Sequence, residues 1–362
     1  MDNKRLLSID ALRGFDMMFI MGFATIVVAT CRLFPGGEDS WIYAQMYHAK
    51  WDGLFHHDTI FPLFLFIAGL TFPFSTAKRI ENGATKGKVF LNTLRRAGIL
   101  ILLGLVFNGL FKLNWAHLRF PSVLGRIGLA WMGAAWLYLA TGWKKRAVIA
   151  ALLLAGYNCL LLIHAPDALT ADSLSMEGNI AGYIDRTLMP NHIYKAGLYD
   201  PEGLLSTIPA IVTAMLGQFT GEFVRSGSSH KTARMFGAAG VLLALGLVWS
   251  TWMPRNKALW SCSFVLVVGA YSVAMFALFY WLIDVKGWTG WTPFFTAIGM
   301  NSITIYIAQR IIPFRKIAEF FFGGLAGKMV WRWSEWLLAI GYFLVSWLFL
   351  WFLYKKKIFL KV

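Results

Sequence analysis

The chain is short of charge. Only 14% of its 362 residues are Asp, Glu, Lys or Arg, against about 25% in an ordinary soluble domain. Acid is the scarcer sign: 18 Asp and Glu stand beside 34 Lys and Arg, for a net charge of +16. Three cysteines occur, Cys31, Cys159 and Cys262, each inside or at the end of an apolar segment. So few, so placed, exclude a disulfide framework and offer no metal-ligand spacing, and they read as small packing residues. No internal repeat is readable. A basic excess of this size would suit nucleic acid, but it is gathered in short loops between apolar runs, so nucleic acid is not an expected partner.

What the chain has instead is hydrophobic mass: 58% apolar residues, with 17 Trp and 30 Phe. Runs of about 20 apolar residues are what a bilayer demands. The expected fold is all-α, a polytopic membrane protein with about ten transmembrane helices in a single domain over residues 1–362 and the lipid bilayer as its solvent. The spans fall at roughly 12–33, 58–77, 93–112, 121–141, 147–164, 203–223, 234–252, 259–283, 293–312 and 334–354. The start, Lys4-Arg5 before an apolar run, imitates a signal peptide. Asp10, Arg13 and Asp16 interrupt that run and no small-residue cleavage site follows, so a retained first span is expected. The strongest basic clusters, Lys78 to Arg96 and Lys355 to Lys361, fall on one side of the bilayer with the N-terminus. The positive-inside rule then makes both termini cytoplasmic. Loops at about 34–57 and 165–202 share the outer face, and Trp and Tyr near the span ends fit an interfacial belt.

An ionisable residue within a span costs at least ~2.5 kcal/mol on insertion scales, so each one asks for a reason. Asp10 and Arg13 lie three apart on one helical face and can pair. Arg13 can equally join Arg95 or Arg96 in a cytoplasmic cradle for a phosphorylated ligand. Arg126 sits several residues into the fourth span between Gly125 and Gly128, with Glu202 or Asp58 as expected buried partners. Asn301 and Ser302 bring polar groups into the ninth span, either as glue between helices or as donors to a reacting oxygen. His48, His56, His57 and Asp58 cluster at the mouth of the second span. Adjacent histidines do not aim comfortably at one ion, so no metal is expected, and His56-His57 reads as an interfacial loop feature. His48 is the reactive candidate.

Several blocks recur in a fixed order. Ser8-Ile9-Asp10-Ala11-Leu12-Arg13-Gly14-Phe15-Asp16 opens the chain, then His48-Ala49-Lys50-Trp51-Asp52-Gly53, then Asp58 to Gly69. Later come Ser122-Val123-Leu124-Gly125-Arg126-Ile127-Gly128, Tyr199 to Ile208, and Gly299-Met300-Asn301-Ser302-Ile303. Together they resemble the transmembrane acetyltransferase family of the lysosomal heparan-α-glucosaminide N-acetyltransferase, and more closely its bacterial relatives. The resemblance implies a ten-helix core that uses cytosolic acetyl-CoA to acetylate the amine of a glucosamine residue on the far side. It also implies a bacterial inner membrane, an amino-sugar acceptor and the option of a homodimer. The family's catalytic histidine corresponds to His48, with Trp51-Asp52-Gly53 behind it. Two departures stand out. Asp52 occupies a position where the lysosomal enzyme has Asn, and Ala24 falls where that enzyme has Asn late in its first span. The loop before His48 is also longer here.

Acetyl transfer to an amine needs a base, an orienting group and donors for the tetrahedral oxyanion. An unperturbed imidazole titrates near pH ~6.5 and suits the base. Asp58 or Glu202 would fix its tautomer, and Asn301 or Arg126 would face the oxyanion. On this reading Trp51, Asp52, Asp200 and Glu202 meet the acceptor, while Arg13, Arg95, Arg126 and Ser302 meet acetyl-CoA. Direct attack and a covalent acetyl-His intermediate both fit. Two rival readings use the same residues: a transporter of sugars or organic anions lined by spans 1, 4 and 9, and an O-acetyltransferase of envelope polysaccharide.

Overall fold

The computed structural model describes residues 6–194 and 197–360. Lys4, Arg5 and Lys361, which belong to the basic clusters, lie outside the described residues. Fifteen α-helices run along the described chain: α1 Leu7–Met18, α2 Ala24–Arg32, α3 Trp41–Gln45, α4 His56–Glu81, α5 Lys86–Asn108, α6 Val123–Ala140, α7 Trp143–Leu161 and α8 Ile180–Leu188. They continue as α9 Thr207–Arg225, α10 Lys231–Trp249, α11 Cys262–Phe279, α12 Thr292–Gly299, α13 Ser302–Ile311, α14 Phe314–Ala326 and α15 Trp331–Lys355. No strand occurs among the described residues, only one isolated bridge between His164 and Asn179. The all-α expectation holds.

Seven helices among the described residues are long and apolar enough to cross a membrane: α1 with α2, α4, α5, α6, α10, α11 with its extension to Val285, and α15. This is a multi-pass membrane protein. The ten ranges expected from the sequence all fall on helix, but three do not qualify as spans by length and composition. Lys144, Lys145 and Arg146 occupy the first turn of α7, while α9 is diluted by Gln218, Glu222, glycines and threonines. The ninth range is two short helices, α12 and α13, interrupted at Met300-Asn301. Helix α10 exposes Val241, Leu243, Leu245, Leu247 and Val248, a surface that suits hydrocarbon because the backbone of a helix satisfies its own hydrogen bonds.

The chain divides into two compact units. The first holds the residues up to Ala49, Phe55–Ile60, and those from Met275 to the end of α15; the second holds Lys50–Leu54 and Phe61–Ala274. Helices α4 and α11 therefore each contribute to both.

In the first unit α1 and α2 are joined through a π-turn, Phe19–Phe23, where Gly22 has φ +132° and ψ −10°. A side chain is strained there, and a Cβ on Gly22 would also lie 2.7 Å from the Tyr342 ring of α15. Helix α12 packs antiparallel on α1 at very short range. A Cβ on Gly14 would stand 1.8 Å from the Phe295 carbonyl oxygen, and one on Gly299 would stand 2.0 Å from the Asp10 carbonyl oxygen. The second unit has its core around Phe61, Leu65, Trp131, Trp260 and Phe264. Its helices α4 and α9 cross at Gly69, Gly217 and Gly221, each facing a carbonyl of the other helix. Small residues four apart let membrane helices approach this closely, and dispersion contacts replace the hydrophobic drive that lipid cannot supply.

Candidate active site

Three local structures in the first unit hold His48. Ser40 caps α3 by accepting the Tyr43 N–H at 3.2 Å. Gln45, the last residue of α3, accepts the His56 N–H at 2.8 Å and so ties α3 to the first turn of α4. Between the two helices lies an irregular segment that carries His48. His56 and His57 are thus helical rather than loop residues: the His56 ring lies 4.3 Å from that of Phe19, and the His57 ring 4.7 Å from that of His48.

Asp58 organises this segment. Its Oδ2 accepts the Ala49 N–H at 3.1 Å and the Phe55 N–H at 3.2 Å, while Oδ1 lies 2.7 Å from His48 Nδ1. An acid in the first turn reaching back to the N–H that precedes the helix is the return half of a capping box, favoured by the positive end of the helix dipole. The side chain of Asp58 is 1% exposed and that of His48 is 55% exposed. Two backbone bonds prevent the carboxylate from turning, so it orients the imidazole. An ionised carboxylate only accepts, so opposite an ionised Asp58 the imidazole proton sits on Nδ1. A base held by a fixed orienting acid is the arrangement that general base catalysis requires.

Of the other first-unit candidates, Arg13 Nη1 stands 3.9 Å from Asp10 Oδ1, the pairing its spacing predicts. Asn301 sits at the break between α12 and α13, 1% exposed, and among the described residues neither its Oδ1 nor its Nδ2 has a hydrogen-bond partner. Ser302 is buried as the first residue of α13.

In the second unit, Trp51 donates Nε1–H to the Leu174 carbonyl at 2.8 Å, and its ring meets Tyr199 edge-on at 5.0 Å. Asp52 Oδ1 accepts the Arg255 N–H at 2.9 Å, and the Gly53 N–H bonds the Arg255 carbonyl at 3.1 Å. The Trp51-Asp52-Gly53 block is therefore pinned to two other loops. Asp200 and Glu202 are both held by Arg119: its Nε meets Asp200 Oδ2 at 2.8 Å and its Nη2 meets Asp200 and Glu202 together. Arg126 is fully buried and donates to the Ser206 hydroxyl and, at 3.1 Å, to the Gly203 carbonyl. Its expected carboxylate partners are engaged elsewhere, Glu202 by Arg119 and Asp58 by His48. Among the described residues its Nε and Nη1 have no hydrogen-bond partner, and its guanidinium lies 5.1 Å from the centre of the Trp260 ring. Arg95 is exposed on α5, while Arg96 stacks over Trp131 at 4.5 Å. Nearby Asp185 accepts the Leu204 N–H at 2.9 Å. Burial, and then the charge of Asp200, push its carboxyl up to about 6.

No family model matches the chain. It is 28% identical over 379 aligned positions to the heparan-alpha-glucosaminide N-acetyltransferase of Mus musculus, covering 87% of this chain and 56% of that protein. Against the protein of the same name from Homo sapiens it is 28% identical over 365 positions, covering 85% and 53%. The chain is similar to these acetyltransferases over most of its own length. It spans about half the length of the curated relatives it matches.

Arg119 and Asp185 were absent from the sequence-derived set. A signal for Arg119 existed: Asp200 and Glu202 flank a proline in one loop, and Arg119 is the arginine of the loop that precedes α6. Asp185 counts among the acids of the 165–202 loop, but nothing local sets it apart from the others, because its partner Leu204 lies 19 positions away. No group of three or more His, Cys, Asp or Glu side chains able to hold a metal occurs among the described residues.

Proposed function

We propose that the chain is a transmembrane N-acetyltransferase that moves acetyl from cytosolic acetyl-CoA to the amine of glucosamine, or of a terminal glucosamine residue, at the outer face. The observation that carries this reading is the His48–Asp58 pair, with Asp58 locked by two backbone N–H groups. The similarity to N-acetyltransferases over most of the chain supports the reaction class. The bilayer topology it needs has both termini cytoplasmic and the His48 loop outside, and the basic clusters support that orientation.

The acceptor enters as the free amine and attacks the thioester carbonyl, and His48 Nε2 takes the proton that the nitrogen loses on becoming an amide. The C–S bond breaks, CoA leaves as the thiolate, and the proton returns from the imidazolium to sulfur. Asp58 stabilises the imidazolium without taking its proton. Asn301 and Arg126 carry buried N–H groups suited to an oxyanion or a carbonyl oxygen. Arg13, Arg95 and Ser302 remain the proposed contacts for CoA. Trp51, Asp52, Asp200 and Glu202 act on the acceptor largely by shaping loops, since their polar groups already bond protein partners.

The test is CoA release by purified protein in detergent, with acetyl-CoA and glucosamine, comparing wild type with His48→Ala. Glucosamine-dependent thiol release that disappears in the variant supports both the reaction and the base. Release that survives the substitution removes His48 from the role. No release from folded protein with glucosamine or short amino-sugar oligomers favours a transporter, for which the interrupted helix pair α12–α13 would be the natural site.

A further inference from the structure

Two cavities of the first unit meet at one side chain, Arg32. A smaller one of about 200 Å³ is lined by Arg32, Glu38, Asp39, Trp331 and Arg332. A larger one of about 500 Å³ is lined by Arg32, Gln309, Arg315, Glu335 and Tyr342 over an apolar floor that includes Val28 and Leu338. Arg32 is a fixed divider. Its Nε bonds Glu38 at 2.8 Å, its Nη2 bonds the Tyr43 hydroxyl at 3.3 Å, and its Nη1 lies 3.6 Å from Glu335.

The chemistry of the walls points to one ligand class. Glu335 is about one-third exposed, and its approach to Arg32 is too long for a hydrogen bond. A carboxylate so placed takes an ammonium or hydroxyl donors. Trp331 is 63% exposed at the mouth of the smaller cavity, and an indole face accepts both an ammonium and the C–H face of a sugar ring. Gln309 and Tyr342 bond each other on the wall of the larger cavity and can each turn a further polar atom to a ligand. Carboxylates, an amide, a phenol and one open indole, interleaved with the guanidiniums of Arg32, Arg315 and Arg332, suit a polyhydroxylated ligand that offers both donors and acceptors.

The cavities also connect to His48 along the chain. Tyr43, which bonds Arg32, accepts the Tyr47 hydroxyl at 3.1 Å, and Tyr47 is the residue before His48. This line of hydroxyls runs from the divider to the residue before the base within a single unit.

We propose that the paired cavities around Arg32 form a second saccharide-binding subsite, which takes a further amino-sugar unit of an oligomeric acceptor whose terminal amine is at His48. The proposal rests on the N-acetyltransferase reading for its geometry but not for its test. Glucosamine and its β-1,4-linked tetramer are titrated calorimetrically into the full chain in detergent, for wild type, Glu335→Gln and Trp331→Ala. The expected result is at least tenfold tighter binding of the tetramer than of glucosamine. Each variant should lose at least fivefold for the tetramer while glucosamine affinity stays within twofold. Equal affinity for the two sugars in wild type overturns the subsite, as do variants that weaken both sugars alike or neither. So does a cavity found by native mass spectrometry to keep a co-purified phospholipid that the tetramer does not displace. CoA release measured beside the titration separates the two readings: tetramer preference without any thiol release leaves the subsite standing and removes the acetyltransferase.

Discussion

His48 Nδ1 stands 2.7 Å from Asp58 Oδ1, and the other oxygen of that carboxylate is held by the N–H groups of Ala49 and Phe55. One acid therefore closes the loop, begins a membrane helix and orients an imidazole. Its removal should be felt both in stability and in turnover, and the two effects can be separated by the choice of substituent.

Asp58→Asn keeps the shape and an acceptor but removes the charge that fixes the His48 tautomer. Thiol release should fall by about 10²–10⁴-fold, the range seen when a base loses its orienting acid, with little change in melting temperature. Asp58→Ala should in addition cost about 1–3 kcal/mol of stability through its unsatisfied N–H groups. Scanning fluorimetry beside the thiol assay reads both. Full activity in Asp58→Asn would remove the pair from the mechanism.

Gly14→Ala and Gly299→Ala each force α1 away from α12, because the new methyl group would sit within 2.0 Å of a backbone carbonyl oxygen. A loss of about 1–3 kcal/mol or more is expected. Gly98→Ala on α5 meets nothing within 4 Å and should be neutral or gain up to about 1 kcal/mol from helix propensity. Thermal unfolding of the three variants in one detergent checks the contrast.

Arg119 neutralises two acids at once, and Asp200 is without solvent exposure. Arg119→Ala leaves both charges without their partner and should destabilise by about 3 kcal/mol or more. Arg119→Lys keeps the charge but loses the planar fork and should fall between. Equal melting temperatures for wild type and Arg119→Ala would show that the cluster contributes nothing to the fold.

Asp185 carries a pH signature. Burial raises its carboxyl to about 6 in the folded protein, against about 3.9 in an unfolded chain. Between those values the folded state keeps a proton that the unfolded state has released. Stability supplied by Asp185 is therefore complete below about pH 4 and is lost as pH rises through about 6. Asp185→Asn keeps the acceptor for the Leu204 N–H and should flatten this part of the melting-temperature profile. An unchanged pH slope between about 4 and 6 would assign the dependence to other groups.

Much of the architecture was legible because it is local. Apolar runs of bilayer length give helices whatever their neighbours, so each expected span falls on helix. The Asp10–Arg13 pair follows from a spacing of three on one helical face, and Asp58 sits in a first turn that the sequence itself begins. The ninth span differs because Asn301 and Ser302, which fit polar groups inside one continuous helix, instead mark its interruption. The break at Met300-Asn301 arises where α12 is pressed onto α1 through Gly14 and Gly299.

Composition and periodicity, which are properties of neighbouring residues, determined an all-α membrane chain and its helical segments, while spacing favoured His48 only slightly and the family resemblance singled it out. Only the tertiary structure decided which charges meet. Asp58 and Glu202 were equivalent partners on paper; the fold gives the first to His48, and gives the second together with Asp200 to Arg119, which lies 83 and 81 residues away from them. In a low-dielectric interior an unpaired charge is costly, and which groups satisfy it, a counter-charge for Asp58 and Asp200 or neutral acceptors for Arg126, depends on chain segments that no local pattern brings together.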